Sequence, residues 1–188
     1  MIKKDLNTKN QILKTTGKLF SMRGYFGVSM QDIADELGMT KAALYYHFDS
    51  KGALAEILLE EAVKELKQEL KQAVADTILP SSILFKLIKT FLDFKIKHPE
   101  ISLLTTLGPS SDERIPILAV VIDLRQNLIK FVRELIGGID FTRKLTYQTI
   151  FAITTSIISF TLSPFYHQRR KDSRQAAQDL SDLICQKI

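Results

Sequence analysis

The chain has 188 residues, of which 45% are hydrophobic and 25% charged, and these values are ordinary for a soluble globular protein. Its single cysteine excludes an internal disulfide framework and a cysteine-rich zinc site, and its polar first residues predict no signal peptide. We therefore expect a cytoplasmic protein, and its net charge of +5 mildly favours an anionic partner.

Three short helices are predicted before residue 50. Thr8 and Gln11 have the spacing of a capping box, which predicts that the first helix begins there and ends at Gly24. A second box at Ser29–Asp32 opens the next helix, and Gly38 is expected to turn the backbone in a left-handed conformation. Thr40 is predicted to cap a third helix over residues 41–46, with its inward side chains at Ala43, Leu44 and Phe48.

Longer helices follow, because all five prolines come at or after residue 80 and only three of the eight glycines lie beyond residue 52. Apolar residues at helical spacing predict helices over 53–79, 81–98 and 117–136, and a last helix after Pro164. Residues 145–166 carry no charge and are long enough to span a bilayer, but a stripe of small and polar side chains along them favours a protein contact over lipid. No segment shows the apolar–polar alternation of a strand, so we expect an all-α protein. We also expect no membrane span.

Two short helices joined by a glycine-containing turn form a helix-turn-helix, in which the second helix enters the DNA major groove. Residues 1–51 hold seven lysines and Arg23 against five acidic residues, a formal charge of +3 that agrees with this interpretation. Hydroxyl, ammonium and imidazole groups donate to phosphates or lie against base edges. The predicted DNA-binding residues are Ser29, Gln31, Thr40, Lys41, Ala42, Tyr45, Tyr46, His47 and Lys51.

Residues 8–54 resemble the N-terminal domain of the TetR/AcrR family of bacterial transcriptional regulators. The features that carry the resemblance are Ile12-Leu13, Leu19-Phe20, Gly24-Tyr25, Ser29-Met30, Asp32-Ile33-Ala34, Gly38-Met39-Thr40-Lys41, Leu44-Tyr45-Tyr46-His47-Phe48 and Ser50-Lys51. Gly52 and Ala53 depart from the family, which often has acidic residues there. The capping box at Ser50 is therefore incomplete, and we expect a looser junction between the two parts of the chain.

The resemblance implies a three-helix DNA-binding domain over residues 1–50 and a larger helical effector-binding and dimerisation domain over 51–188. It implies a homodimer that binds a palindromic double-stranded operator as a ligand-responsive repressor. Small or apolar residues on the last two helices favour a helical dimer seam. Its candidate residues are Gln148, Ala152, Thr155, Ser159, Ala177, Leu180 and Ile184.

The effector pocket is predicted from aromatic side chains with nearby polar groups. Its candidates are Phe91, Phe94, His98, Thr105, Tyr147, Phe151, Thr154 and Phe165, although an aromatic stripe at helical spacing is also typical of a core. Eleven phenylalanines and no tryptophan favour an apolar or aromatic effector.

Enzyme functions have little support in the sequence. The three histidines lack metal-ligand spacing and there is no phosphate-binding glycine loop, so we expect no cofactor, no metal site and no enzyme. Two alternatives stay open: a family member that activates transcription or responds to a protein partner, and a helical small-molecule carrier or enzyme that retains the fold without specific DNA binding.

Overall fold

A computed structural model describes residues 2–77, 80–107, 116–137 and 173–185, and every regular element within these ranges is helical. The prediction of an all-α fold is confirmed. The helices are α1 (Ile2–Arg23), α2 (Met30–Glu36), α3 (Lys41–His47), α4 (Lys51–Val74), α5 (Pro80–Lys97), α6 (Leu103–Thr106), α7 (Pro116–Gly137) and α8 (Ser173–Cys185), with a 3-10 turn at Pro99–Ser102 before α6.

The chain forms two compact units. The first contains Met1–Ala62 and His98–Asp123, and the second contains Val63–Lys97 and Leu124–Ile188. Residues 51–62 of α4 are thus grouped with α1–α3, whereas the predicted domain boundary lies after residue 50. That boundary divides the chain by expected function, and it stays a prediction.

Apolar side chains from α1 to α4 make the core of the first unit. Ile12, Phe20, Ile33, Leu44 and Leu54 are almost completely buried. Each such side chain contributes about 1.5–3 kcal/mol to folding by leaving water. Burial of these side chains therefore stabilises the first unit, in which α2 contacts both α1 and α3.

The start of α1 differs from the prediction, which placed the N-cap at Thr8. The helix begins at Ile2, so Thr8 lies in its interior. A capping-box sequence allows a helix to begin but does not prevent it from beginning earlier. Residues 2–7 contain neither glycine nor proline, so the helix extends toward the N-terminus. The predicted end is confirmed, because Gly24 has a φ of +70° and its N–H donates to the carbonyl of Phe20 at 2.9 Å.

The second unit is built on α5, which packs against α8. The inner face of α5 carries Leu87, Ile88, Phe91 and Phe94, all buried. The predicted helices over 81–98 and 117–136 differ by one residue at each end from α5 and α7, whereas the helix predicted over 53–79 begins at Lys51 and already ends at Val74. Pro116 occupies the first position of α7, as predicted for a proline that needs no N–H partner there.

Among the residues that the structure describes, no helix is long and apolar enough to cross a membrane. The uncharged segment 145–166 lies outside those residues, so its predicted role as a protein contact stays a prediction.

Candidate nucleic-acid interface

The turn before α2 is built on a reciprocal cap. The backbone N–H of Asp32 donates to Ser29 Oγ at 3.1 Å, while the N–H of Ser29 donates to Asp32 Oδ2 at 2.8 Å. The hydroxyl of Ser29 also donates to Asp32 Oδ2. These hydrogen bonds from Ser29, helped by Arg23 at 3.4 Å, lower the pKa of the Asp32 carboxyl. The predicted second capping box is confirmed, with aspartate replacing the usual glutamate.

The turn between α2 and α3 depends on Gly38, which has a φ of +64° as the sequence predicted. Its N–H donates to the carbonyl of Asp35 at 3.1 Å, and the N–H of Met39 donates to that of Ala34 at 3.0 Å. Thr40 then caps α3, because its Oγ1 accepts the N–H of Ala43 at 3.1 Å. Hydrogen bonds therefore fix the end of α2 and the start of α3 on either side of this short turn.

Helix α3 presents most of its surface to solvent. Leu44 is its one buried side chain, and Phe48 continues that face just after the helix ends. The exposed side chains are those of Lys41, Ala42, Ala43, Tyr45 and Tyr46, with Tyr46 83% and Tyr45 43% exposed. Lys41 Nζ lies 6.0 Å from the centre of the Tyr45 ring, one helical turn away. An exposed cation and two exposed tyrosines on a short, capped helix match the requirements of a DNA-reading surface.

Ala43 is a correction to the sequence analysis, which placed it inward. It is exposed, because successive helical residues are about 100° apart and a helix of seven residues turns only the position of Leu44 toward the core. Alanine is small enough for either environment, so the apolar pattern did not distinguish them. Ala43 joins Ala42 on the outward face and was missed as a candidate DNA-facing residue.

Lys51 makes contacts other than the predicted phosphate contact. Its Nζ donates to the carbonyls of Tyr25 at 2.8 Å and Val28 at 2.7 Å, and it lies 4.3 Å from the centre of the Tyr25 ring. Partial burial lowers the pKa of this ammonium, and the charge of Asp32 opposes that shift. The lysine thus holds the start of α4 to the turn between α1 and α2, a structural role that the sequence did not reveal.

Gln31 and His47 have partners in the same unit. The amide of Gln31 donates to Asp35 Oδ1 at 2.7 Å across one turn of α2, on an exposed surface. His47 is half-buried, with its ring edge-on to that of Tyr46 at 5.2 Å. It lines a shallow cleft of about 320 Å³ together with Lys9 of α1 and Glu61 of α4. Both remain predicted DNA-binding residues, with Gln31 on an exposed surface and His47 only half-exposed.

The structure separates the described effector candidates. Phe91 and Phe94 are buried in the core of the second unit, whereas the half-buried His98 belongs to the first, with Nδ1 3.2 Å from Glu100 Oε1. Thr105 lies in α6. The remaining candidates lie outside the described residues: Tyr147, Phe151, Thr154 and Phe165. For the two phenylalanines, the geometry favours the core interpretation.

One dimer candidate needs correction. Ala177 is completely buried within its own chain, where Ser181, one turn further along α8, is buried too. This side of α8 is therefore occupied inside the second unit, since α8 packs on α5, and Ala177 is not available to a second copy. Leu180 and Ile184 lie on the same helix. The candidates outside the described residues are Gln148, Ala152, Thr155 and Ser159.

No group of three or more histidine, cysteine, aspartate or glutamate side chains in the described part of the chain is arranged to hold a metal ion.

Residues 12–58 match the family model of bacterial regulatory proteins, tetR family. The chain is 34% identical over 90 residues to the HTH-type transcriptional activator FasR of Mycolicibacterium smegmatis, an alignment that covers 48% of this chain and 41% of FasR. It is 46% identical over 48 residues to the biofilm operon icaADBC HTH-type negative transcriptional regulator IcaR of Staphylococcus aureus, which covers 26% of each chain. The chain therefore spans less than half the length of these curated relatives.

A solved structure resembles nearly the whole chain. It is the crystal structure of AibR in complex with isovaleryl coenzyme A and operator DNA, with a TM-score of 0.73 and 21% sequence identity over 93% of this chain and 96% of that one. At this identity, the similarity establishes the fold, with a helix-turn-helix at the N-terminus and a larger helical part after it.

Proposed function

We propose that the whole chain is a DNA-binding transcriptional regulator in which residues 1–50 bind DNA, because residues 12–58 match the family model of bacterial regulatory proteins, tetR family. The observation that carries this proposal is the exposed surface of α3. Lys41, Tyr45 and Tyr46 project from a helix that is capped at Thr40 and held to the core by Leu44. A capped, exposed helix of this kind is suited to contact base edges in the major groove. Its affinity for DNA falls as salt rises, because phosphate contacts release counterions.

We further propose that the chain acts as a homodimeric, ligand-responsive repressor of a palindromic operator. A two-fold dimer presents two copies of α3 to two half-sites. Residues 51–188 would bind the effector and form the dimer, and effector binding would favour a spacing of the two DNA-binding domains that mismatches the operator. The name of IcaR as a negative regulator supports repression, and the isovaleryl coenzyme A in the AibR complex supports a small-molecule effector. The eleven phenylalanines of this chain support an apolar or aromatic one.

Activation is the second candidate, because FasR is named a transcriptional activator. A reporter gene placed behind the bound DNA separates the two. Deletion of the regulator raises reporter expression if it represses, and lowers it if it activates.

Fluorescence anisotropy with the intergenic DNA flanking the gene tests DNA binding directly. We expect saturable binding that weakens with salt and that loses about 1–3 kcal/mol in Lys41→Ala. Tyr45→Ala is expected to weaken binding as well, and Lys64→Ala is the control, because Lys64 is an exposed lysine on α4. Equal affinity of wild type for flanking and unrelated DNA would contradict the proposal and favour a helical carrier that retains the fold.

A further inference from the structure

The outward face of α3 carries few of the side-chain groups that recognise base edges by hydrogen bonding. No residue of α3 carries a carboxylate or carboxamide group, since the helix consists of Lys41, two alanines, Leu44, two tyrosines and His47. Glutamine and asparagine recognise adenine through paired hydrogen bonds, and aspartate and glutamate accept from cytosine N4. Helix α3 has none of these groups, so its means of distinguishing bases are few.

What α3 does present is a pair of exposed methyl groups beside an ammonium. Ala42 and Ala43 are both exposed and directly follow Lys41. Because these two side chains end at Cβ, the backbone of α3 is able to approach the floor of the groove closely. In the major groove, thymine is the base that offers a methyl group, and guanine offers the two acceptors O6 and N7 that suit an ammonium.

We propose that Ala42 and Ala43 determine operator specificity by packing against thymine C5 methyl groups, while Lys41 donates to a guanine in the same half-site. This proposal rests on the proposed function and deepens it, because it states the chemistry of the half-site. Tyr45 and Tyr46, beside this patch, supply hydroxyl donors to phosphates, which position the helix without selecting bases.

The test begins with full-length protein and a pool of randomised DNA duplexes, from which the preferred duplex is selected. Each thymine of that duplex is then replaced by deoxyuridine, which removes the C5 methyl and leaves all hydrogen-bonding groups in place. We expect about fourfold weaker binding at one or two positions in each half-site, the value of one buried methyl-sized group. Replacing the contacted guanine by 7-deazaguanine is expected to weaken wild-type binding and to leave Lys41→Ala unaffected.

Ala42→Gly and Ala43→Gly identify which alanine contacts which thymine. Each variant is expected to lose the deoxyuridine effect at its own position while keeping it elsewhere. The cost of glycine in a helix affects every duplex equally, so it cancels in this comparison. Ala75→Gly, at an exposed alanine after α4, is the control and keeps the whole wild-type deoxyuridine pattern.

The outcomes separate this inference from the proposed function. Salt-dependent, sequence-selective binding that is insensitive to deoxyuridine at every position would overturn the methyl contacts and leave DNA binding intact. A deoxyuridine effect that persists unchanged in both glycine variants would also overturn them. If wild-type protein enriches no duplex from the pool, both the inference and the proposed function fail.

Discussion

Replacing Lys51 by alanine tests whether this lysine stabilises the fold or contacts a phosphate. Its ammonium donates to two main-chain carbonyls, at 2.8 and 2.7 Å, and lies 4.3 Å from the Tyr25 ring. Hydrogen bonds to charged groups contribute about 1.5–3 kcal/mol each, and a cation–π contact adds about 0.5–1 kcal/mol. The cost of desolvating a half-buried ammonium offsets part of this sum, as its lowered pKa indicates. We therefore expect Lys51→Ala to lower the free energy of unfolding by about 2 kcal/mol.

Urea denaturation followed by circular dichroism measures this change, with Lys64→Ala as the matched control on the exposed side of α4. DNA binding as a function of salt provides the second measurement. A lost phosphate contact reduces the slope of log affinity against log salt by about 0.9, whereas a structural lysine leaves that slope unchanged. If Lys51→Ala keeps the stability of wild type and reduces the salt dependence of DNA affinity, the structural role is refuted and the predicted phosphate contact is supported.

Four further predictions concern the turns and the effector. Gly52→Ala is expected to stabilise the chain by about 0.5–1 kcal/mol in urea denaturation, because its new Cβ would meet Ser50 Oγ at an ordinary 3.5 Å; destabilisation would contradict this. Gly38→Ala is expected to destabilise it by about 1 kcal/mol or more, because φ is +64° there; an unchanged midpoint would exclude the strain. The Asp32 carboxyl has a folded pKa below its ordinary 3.8. Its contribution to stability is therefore complete above about pH 4 and is lost as pH falls through the folded pKa. The difference in melting temperature between wild type and Asp32→Asn should become smaller in acid, and a difference that does not change with pH would contradict this prediction. Finally, aromatic or acyl compounds should raise the melting temperature, and stabilisation by sugars or polyanions alone would oppose an apolar effector.

Local features of the fold were predictable from the sequence. The left-handed turns at Gly24 and Gly38 and the caps at Ser29 and Thr40 depend on residues within a few positions of each other. Glycine tolerates positive φ without steric cost, and a serine or threonine hydroxyl reaches the N–H three residues on. These local interactions are therefore sufficient to predict the helix-turn-helix from the sequence.

Contacts between distant residues were not predictable in the same way. Lys51 binds main-chain carbonyls that lie 26 and 23 residues earlier, and such acceptors leave no side-chain signature in the sequence. Ala43 and Ala177 were misplaced for a related reason. Alanine fits both a core and a surface, so only the packing of neighbouring elements decides which face it occupies.

Selection from a randomised duplex pool by the full-length protein tests the central claim most directly, when it is carried out in parallel with the double variant Lys41→Ala/Tyr45→Ala. We predict that wild type enriches a palindromic sequence whose binding weakens as salt rises, and that the double variant enriches none although it folds normally by circular dichroism. Enrichment of the same palindrome by both proteins would contradict the proposed DNA contacts of Lys41 and Tyr45, and enrichment by neither would contradict the account as a whole.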